Sequence, residues 1–237
     1  MAQGSLSPME AALLVVGVLV VIAAVVFSYY RKKKRREQLA AFAWKNGFQF
    51  SASDTHELLS LDFKLFSMGD GRGCENVMWG DLEGIAVKAA DYWYYTESSD
   101  SKGRNSKSYR HFSVVVADIS AYLPHVIVTR ENVFTRVADY LSFRDIEFES
   151  EEFNRSFQVK ADDRAFAFKL IDARVMNWMM STDGRFAFEV SGPNLLVYSR
   201  RVRPSELVPL FGTAKEFHDR IPRLVRSEYG TQARESS

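Results

Sequence analysis

A run of twenty apolar residues near the N-terminus constrains this chain more than any other feature. Residues 11–30 read AALLVVGVLVVIAAVVFSYY and carry no charged side chain. As a helix rising ~1.5 Å per residue, the run extends ~30 Å, the hydrocarbon thickness of a bilayer. Its β-branched residues would favour a strand in water, but in lipid the backbone must satisfy its own hydrogen bonds, and a single segment does so only as a helix. The run predicts a transmembrane helix over residues 11–30.

Two alternatives exist for this run, a cleaved signal peptide and the core helix of a soluble protein. A signal peptide needs basic residues before a shorter apolar core and small residues after it. Residues 1–10 contain no Lys or Arg, and the run ends in Phe-Ser-Tyr-Tyr followed by six bases. A core helix does not ordinarily combine a wholly apolar circumference with a basic flank on one side. We therefore expect the helix to be retained as an anchor.

The six bases form a basic collar, which consists of Arg31, Lys32, Lys33, Lys34, Arg35 and Arg36. The positive-inside rule predicts a single-pass protein of the cell (inner or plasma) membrane, with residues 1–10 as a short extracytoplasmic N-terminus and everything after the helix in the cytoplasm. The collar has two compatible interpretations. It sets topology alone, or it also binds anionic lipid headgroups, at ~1 kcal/mol for each base near the surface.

Charge and cysteine content exclude several classes of function. The net charge of the chain is +1, from 31 bases and 30 acids. Residues 37–237, which exclude the collar and the one acid before it, contain 25 bases and 29 acids and have a net charge of −4. A mildly acidic body argues against a nucleic-acid partner. The lone Cys74 excludes an internal disulfide and any multi-thiolate metal site.

Hydrophobic periodicity predicts the first half of the domain as strands that follow the anchor. The helix should continue through residues 37–46 and stop at Gly47. Strands are predicted at residues 48–51, 74–79, 85–95, 112–119 and 125–129. The predicted connections between them are a chain break at residues 70–73, a hairpin turn at 80–84, a polar loop or disordered insert at 96–108 and an interruption at Pro124. Asp54 is predicted to cap a short helix over residues 56–61.

The second half of the domain is predicted to be richer in helices. An apolar face predicts a helix over residues 132–141, and Asp162 or Asp163 should cap a helix whose buried stripe is Phe168, Ile171, Val175, Trp178 and Met179. A hairpin is predicted around residues 192–194, a last helix between Pro204 and Pro222, and a flexible tail over residues 227–237. The pattern predicts an α+β fold: one mainly antiparallel sheet with packed helices in a cytoplasmic domain over residues 37–226.

No catalytic, cofactor-binding or metal-binding motif is evident. The four histidines, His56, His111, His125 and His218, show no paired spacing. The glycine-rich segment before Cys74 could present N–H groups to an anion, but it precedes a strand, and a plain turn is the simpler interpretation. The aromatic run Tyr92, Trp93, Tyr94 and Tyr95 could form a surface for a partner or ligand, or fill both faces of a sheet.

Residues 146–159, IEFESEEFNRSFQV, are followed by two aspartates and a hydrophobic helix. This stretch, together with the hairpin over residues 80–95, resembles a pattern in bacterial single-pass membrane-anchored proteins that carry a domain of unknown function. Within the bacteria, the resemblance is to actinobacterial proteins. The resemblance covers about residues 40–225. It implies an anchored cytoplasmic-side domain and no activity, cofactor or catalytic residue.

These observations favour a membrane protein whose cytoplasmic domain binds a protein partner or assembles at the membrane, without catalysis. A membrane-tethered enzyme that uses Cys74 or the histidines is the first alternative, in a geometry that the sequence does not reveal. A module that binds anionic lipid through the collar and the aromatic run is the second.

Overall fold

The computed structural model describes residues 7–99, 103–130, 144–182 and 184–230. The helix predicted over residues 132–141 lies outside the described residues, as does the end of the predicted tail, residues 231–237.

The apolar run and the collar form one continuous helix, α1, Pro8–Lys45. The Ser7 side chain accepts a hydrogen bond from the N–H of Glu10, and the Glu10 carboxylate accepts one from the N–H of Ser7, so the first turn is capped reciprocally. The helix ends where Gly47 takes a φ of +76°, as predicted. In the described part of the chain, α1 is the one helix long and apolar enough to cross a membrane, by length and composition.

Seven antiparallel strands form one sheet. Their bounds are β1 Gln49–Ser53, β2 Gly71–Leu82, β3 Ile85–Ser99, β4 Asn105–Thr129, β5 Arg144–Ile146, β6 Gln158–Ala161 and β7 Ala187–Arg200. The order is β1-β2-β3-β4-β6-β5, and β7 pairs with the other edge of β4. The 25-residue β4 therefore contacts three strands and organises the sheet. The α+β prediction is confirmed.

The described residues also form six shorter helices: α2 Lys64–Ser67, α3 Glu151–Ser156, α4 Arg164–Leu170, α5 Ala173–Ser181, α6 Leu207–Arg220 and α7 Arg223–Gly230, with 3-10 turns at Leu58–Ser60 and Pro204–Glu206. The single helix predicted after Asp163 is two helices, because Asp172 caps a second one by accepting from the N–H groups of Arg174 and Val175. As a result Phe168 points outward, while Val175 and Met179 are buried.

The core has two parts, one on each face of the sheet. On the helix-side face, the end of α1 and helices α4 to α7 cover one set of strand side chains, which includes Val87 and Ala89 of β3. On the second face, the short segment from Leu58 to Phe66 covers the alternate set, which includes Ala90 and Tyr92. Successive strand residues point to opposite faces, so β3 contributes to both parts of the core.

The predicted break at residues 70–73 is wrong, because Gly71 and Gly73 lie inside β2. Each glycine pairs with an aromatic residue of β3, Gly71 with Tyr95 and Gly73 with Trp93. A Cβ at these glycines would come within 2.5 Å of the Tyr95 ring and 2.7 Å of the Trp93 ring. The glycines make room for rings that lie across them, and they form neither a turn nor an anion-binding loop.

The polar segment at residues 96–108 is mostly strand, in contrast to the predicted loop. β3 continues to Ser99 and β4 begins at Asn105. Polar cross-strand pairs support the extension, with the Ser98 and Ser106 hydroxyl oxygens 2.9 Å apart and Lys107 Nζ 3.1 Å from Glu97 Oε1. The short helix predicted after Asp54 is reduced to the first 3-10 turn, although Asp54 does accept the N–H groups of His56 and Leu58.

The hairpin predicted at residues 192–194 and the interruption predicted at Pro124 are both wrong. β7 is one strand that pairs with β4 from Phe188 to Arg200. The register of this pair shifts at one point, and β4 supplies the extra residues. Between the pairs Asp118–Asn194 and Leu123–Gly192, β4 advances by five residues while β7 moves by two. Pairing along the length of β4 therefore overrides the local turn signals.

The end of the domain extends further than predicted. α7 covers the first four residues of the tail predicted over residues 227–237. Val225 is fully buried, and the Tyr229 ring packs on the Phe166 ring at 5.1 Å. Arg226 donates to the carbonyl oxygens of Ile119 and His218.

Candidate functional site: a basic groove beside the anchor helix

A partly buried ion pair between Arg35 and Asp91 holds helix α1 to the sheet. Arg35 Nε lies 2.7 Å from Asp91 Oδ2, and Arg35 Nη2 lies 2.6 Å from Asp91 Oδ1. The carboxylate is 5% exposed and the guanidinium side chain 15%. Arg35 Nη1 also donates to the carbonyl oxygen of Val202 at 2.9 Å. This bidentate geometry is the strong form of an arginine–carboxylate contact.

Two further side chains donate to Asp91 Oδ2: Asn76 Nδ2 at 3.0 Å and Arg201 Nη2 at 3.2 Å. Burial lowers the pKa of the Arg201 guanidinium, and the Asp91 carboxylate opposes that shift. Because arginine titrates far above neutral pH, Arg201 keeps its charge. One carboxylate thus holds two cations that are 166 residues apart in the chain.

A groove with a volume of about 550 Å³ opens next to this cluster, between α1 and the chain that follows β7. We call it the basic groove, and its lining residues are Phe27, Ser28, Arg31, Lys32, Lys34, Arg35, Gln38, Arg201, Val202, Arg203 and Pro204. Six of these eleven residues are basic and none is acidic. The groove therefore attracts anions.

Four of the six bases have no ion-pair partner among the described residues: Arg31, Lys32, Lys34 and Arg203. Arg31 and Lys34, like the rest of the collar except Arg35, have exposed side chains. Lys33 and Arg36 belong to the collar but do not line the groove, and Lys33 lies 4.0 Å from Glu37. The six collar residues predicted as one set thus divide into three exposed groove bases, two bases that do not line the groove, and Arg35, which lines the groove and pairs with Asp91.

The aromatic run is divided between the two faces of the sheet. Tyr92 and Tyr94 are 0% and 5% exposed in the core of the second face, and the Tyr92 hydroxyl donates to the carbonyl oxygen of Leu65 at 2.7 Å. The predicted partner or ligand surface therefore does not hold for these two residues. Trp93 and Tyr95 are half-buried on the helix-side face.

Residues of the neighbouring strand extend Trp93 and Tyr95 into what we call the aromatic hairpin patch: Trp93, Tyr95, Tyr109 and His111. Ring centroids lie 6.4 Å apart for Trp93 and Tyr95, 5.3 Å for Tyr95 and Tyr109, and 6.3 Å for Tyr109 and His111. Burial lowers the pKa of His111, and the nearby charges of Arg201 and Lys32 lower it further. The imidazole is therefore neutral at pH 7.

The groups that could carry catalysis lie apart. His125 is buried against Glu189, with Nε2 2.6 Å from Oε1. His56 packs on the Trp79 ring at 4.2 Å, and His218 contacts Asp219 at the surface. Among the described residues no group of three His, Cys, Asp or Glu side chains is placed to hold a metal ion.

Cys74 is expected to react slowly with thiol reagents. Burial raises the pKa of its thiol, and the charges of Asp54 and Asp91 add to the shift. A raised pKa leaves less thiolate at a given pH, and the thiolate is the nucleophile. At pH 8, alkylation by iodoacetamide should be at least about tenfold slower than that of free cysteine, with the rate restored in urea. A folded-state rate equal to that of free cysteine would return Cys74 to consideration as a nucleophile.

No protein-family model matches the chain, and no curated protein matches it in sequence. Among solved structures, the fold is similar to the crystal structure of the mycobacterial trehalose monomycolate transport factor A, TtfA, with a TM-score of 0.59 and 15% sequence identity. The match covers 79% of this chain and 96% of the other. At this identity the likeness concerns the fold, an α+β domain with a mainly antiparallel sheet.

Proposed function

We propose that this chain is a single-pass membrane protein whose basic groove binds the headgroup of an anionic lipid, and whose cytoplasmic domain works there with a protein partner. The observation that carries the proposal is the groove itself. Four bases without an ion-pair partner converge where the apolar part of α1 ends, and Arg31 follows the apolar run directly.

The depth of the groove favours lipid headgroups over a soluble anion. Arg31, Lys32, Lys34 and Arg35 lie within about 8 Å of Tyr30 along the helix axis, at ~1.5 Å per residue. The headgroup layer on each side of a bilayer is about 5–8 Å thick. These bases would therefore stand at headgroup depth when residues 11–30 cross the bilayer. Each would contribute ~1 kcal/mol to binding an anionic surface.

The orientation is supported by charge asymmetry. Six bases follow the apolar run and none precedes it in residues 1–10. This distribution favours a translocated N-terminus and a cytoplasmic domain, as expected from the sequence. In this proposed orientation the groove would lie at the inner leaflet of the cell membrane.

The fold neighbour suggests which process such a protein could serve. It is described as a transport factor for trehalose monomycolate, a lipid. We extend that class of role to this chain: a membrane-anchored factor that holds a lipid headgroup and positions its domain beside the proteins that move lipids. The collar and the groove support the lipid part of this proposal, and the partner part rests on the likeness in fold.

The test compares two double variants of the full chain in nanodiscs of phosphatidylcholine with increasing phosphatidylglycerol. Arg31→Gln/Lys34→Gln removes two groove bases, and Lys33→Gln/Arg36→Gln removes two collar bases that do not line the groove. Phosphatidylglycerol retained by the protein is measured by native mass spectrometry. The groove variant should bind about 30-fold more weakly, which corresponds to ~1 kcal/mol for each base. The control variant should lose clearly less affinity than the groove variant, because Lys33 and Arg36 act on the lipid only through diffuse attraction and not by contact within the groove.

Equal losses in the two variants would show that the collar acts only through diffuse charge, and the groove proposal would fall. Competition by soluble glycerol phosphate at the affinity of the lipid would identify the ligand as a free phosphate compound instead. Both variants keep Arg35, so neither disturbs the Asp91 cluster that holds α1 to the sheet.

A further inference from the structure

The basic groove carries more positive charge than a headgroup with a single phosphate can neutralise. Among the described residues, three acids contact its lining: Asp91 and Glu75 at the Arg201 side chain, and Glu206 at the backbone N–H of Arg203. Even with all three acids counted, the six bases of the groove leave a surplus of three positive charges. A phosphodiester lipid such as phosphatidylglycerol supplies one negative charge, so most of this surplus would remain without a counter-charge.

The bases without an ion-pair partner are spread around the groove instead of meeting at one point. At ~100° per residue around a helix axis, the Lys32 and Lys34 side chains leave α1 on opposite sides of Arg31, about 160° apart. Arg203 belongs to the other wall of the groove, the chain that follows β7. Bases distributed over an arc of one wall and over a second wall offer more than one position for a phosphate.

The size and the lining of the groove fit an amphiphile with a large headgroup. Its volume of about 550 Å³ lies within the ~300–1,000 Å³ of pockets that take whole small-molecule ligands, which leaves room for two phosphates and a linker. Phe27, Val202 and Pro204 add apolar surface to the basic lining, and the Arg31 guanidinium carbon lies 5.8 Å from the centroid of the Phe27 ring. Because Phe27 belongs to the apolar run, the acyl chains of such an amphiphile would continue along that run.

We infer that the basic groove selects a lipid whose headgroup carries two phosphates separated by a short polar linker, one phosphate at the α1 wall and the other at the Arg203 wall. The inference rests on the proposed function, because it names the kind of anionic lipid that the groove takes. Two classes of lipid share this chemistry. In diphosphatidylglycerol (cardiolipin) a glycerol joins the phosphates, and in phosphorylated phosphatidylinositol an inositol ring does so. Both bring at least two negative charges, closer to the surplus in the groove.

The test compares lipids with one and two phosphates at equal total phosphate, so that diffuse surface charge is the same. The full chain is placed in phosphatidylcholine nanodiscs, and retained lipid is measured by native mass spectrometry. One arm compares cardiolipin with phosphatidylglycerol, and the other compares phosphatidylinositol 4-phosphate with phosphatidylinositol. In at least one arm the lipid with two phosphates should bind about tenfold more tightly, because its second phosphate meets further bases. That arm identifies the linker, and equal retention in both arms would overturn the inference.

A matched pair of arginines tests the wall that faces α1. Arg203 lines the groove, whereas Arg200, three residues earlier, is also exposed but does not line it. Arg203→Gln should weaken binding of the preferred lipid with two phosphates about fivefold and leave binding of its counterpart with one phosphate within about twofold. Arg200→Gln should change neither by more than about twofold. Equal losses for the two lipids in Arg203→Gln, or equal losses in the two variants, would overturn the inference.

The proposed function and this inference fail in different ways. Equal losses of phosphatidylglycerol in Arg31→Gln/Lys34→Gln and in Lys33→Gln/Arg36→Gln would refute the groove as a lipid site, and the inference with it. The expected loss in the groove variant, together with no preference for two phosphates at equal charge, would refute the inference alone. The groove would then be a site for anionic lipids that does not distinguish their headgroups.

Discussion

Replacing Asp91 by alanine is expected to lower the free energy of unfolding by about 3–5 kcal/mol, because it leaves two partly buried guanidinium groups without their counter-charge and a buried amide without its acceptor. Arg35 and Arg201 both donate to this carboxylate, and so does the buried Asn76. The loss should appear as a lower midpoint in urea unfolding of the full chain in detergent micelles, followed by tryptophan fluorescence.

The control for Asp91→Ala is Glu37→Gln on the same helix. The Glu37 carboxylate lies 4.0 Å from Lys33 Nζ, and both side chains are more than 60% exposed. An exposed ion pair of this kind contributes about 0–1 kcal/mol. Equal effects of the two variants would mean that the Asp91 cluster does not fasten α1 to the sheet.

Replacing Glu189 by leucine is expected to destabilise the second face of the sheet. The Glu189 carboxylate is 1% exposed, accepts the N–H groups of Lys64 and Leu65, and contacts the His125 imidazole. Each buried donor that loses its acceptor costs about 1–3 kcal/mol. The expected loss is therefore about 2–5 kcal/mol in the free energy of unfolding, with hydrogen exchange more than tenfold faster in residues 58–67.

Glu228→Gln is the control for this variant, because Glu228 makes a partly exposed ion pair with Lys169 at 2.6 Å. It should change the free energy of unfolding by less than about 1 kcal/mol. If Glu189→Leu left exchange in residues 58–67 unchanged, that segment would be held by its apolar contacts alone. Glu189→Gln keeps one acceptor oxygen and should recover part of the loss.

Features determined by short-range signals were predictable from the sequence. The extent of α1 followed from its apolar run and from Gly47. The β2–β3 hairpin followed from Glu83 and Gly84, which both take positive φ, 51° and 85°, as a two-residue turn requires. Asp163, one of the two aspartates predicted to cap this helix, caps α4. In each case the chemistry that sets the local conformation lies within a few residues.

The errors arise where pairing between distant strands overrides a local signal. Gly192 indicates a turn in isolation and does take a positive φ of 54°, but β4 pairs with β7 on both sides of it, so the chain continues as one strand through an irregularity. Gly71 and Gly73 also indicate a turn until the rings of Tyr95 and Trp93 are placed across them. A partner strand satisfies the backbone hydrogen bonds that a turn would leave to solvent.

The site was predictable only in part for the same reason. The collar was evident, but Arg35 meets Asp91 across 56 residues of sequence, and Arg201 and Arg203 arrive from the end of β7. Two signals pointed to this arrangement: an acid, Asp91, within an apolar strand, and a cluster of arginines just before Pro204. A carboxylate at such a position is ordinarily buried with a cation.

Helix α1 runs from the apolar run into the core without a break, and Arg35, Leu39 and Ala43 hold its last turns rigidly to the sheet. If α1 crosses a bilayer as we propose, it forms a rigid arm between the bilayer and the sheet. A bilayer thinner than the apolar run is matched by tilting the helix, and with no hinge between helix and domain, the whole domain must swing by the same angle. The orientation of the sheet relative to the membrane would then follow the local thickness of the bilayer.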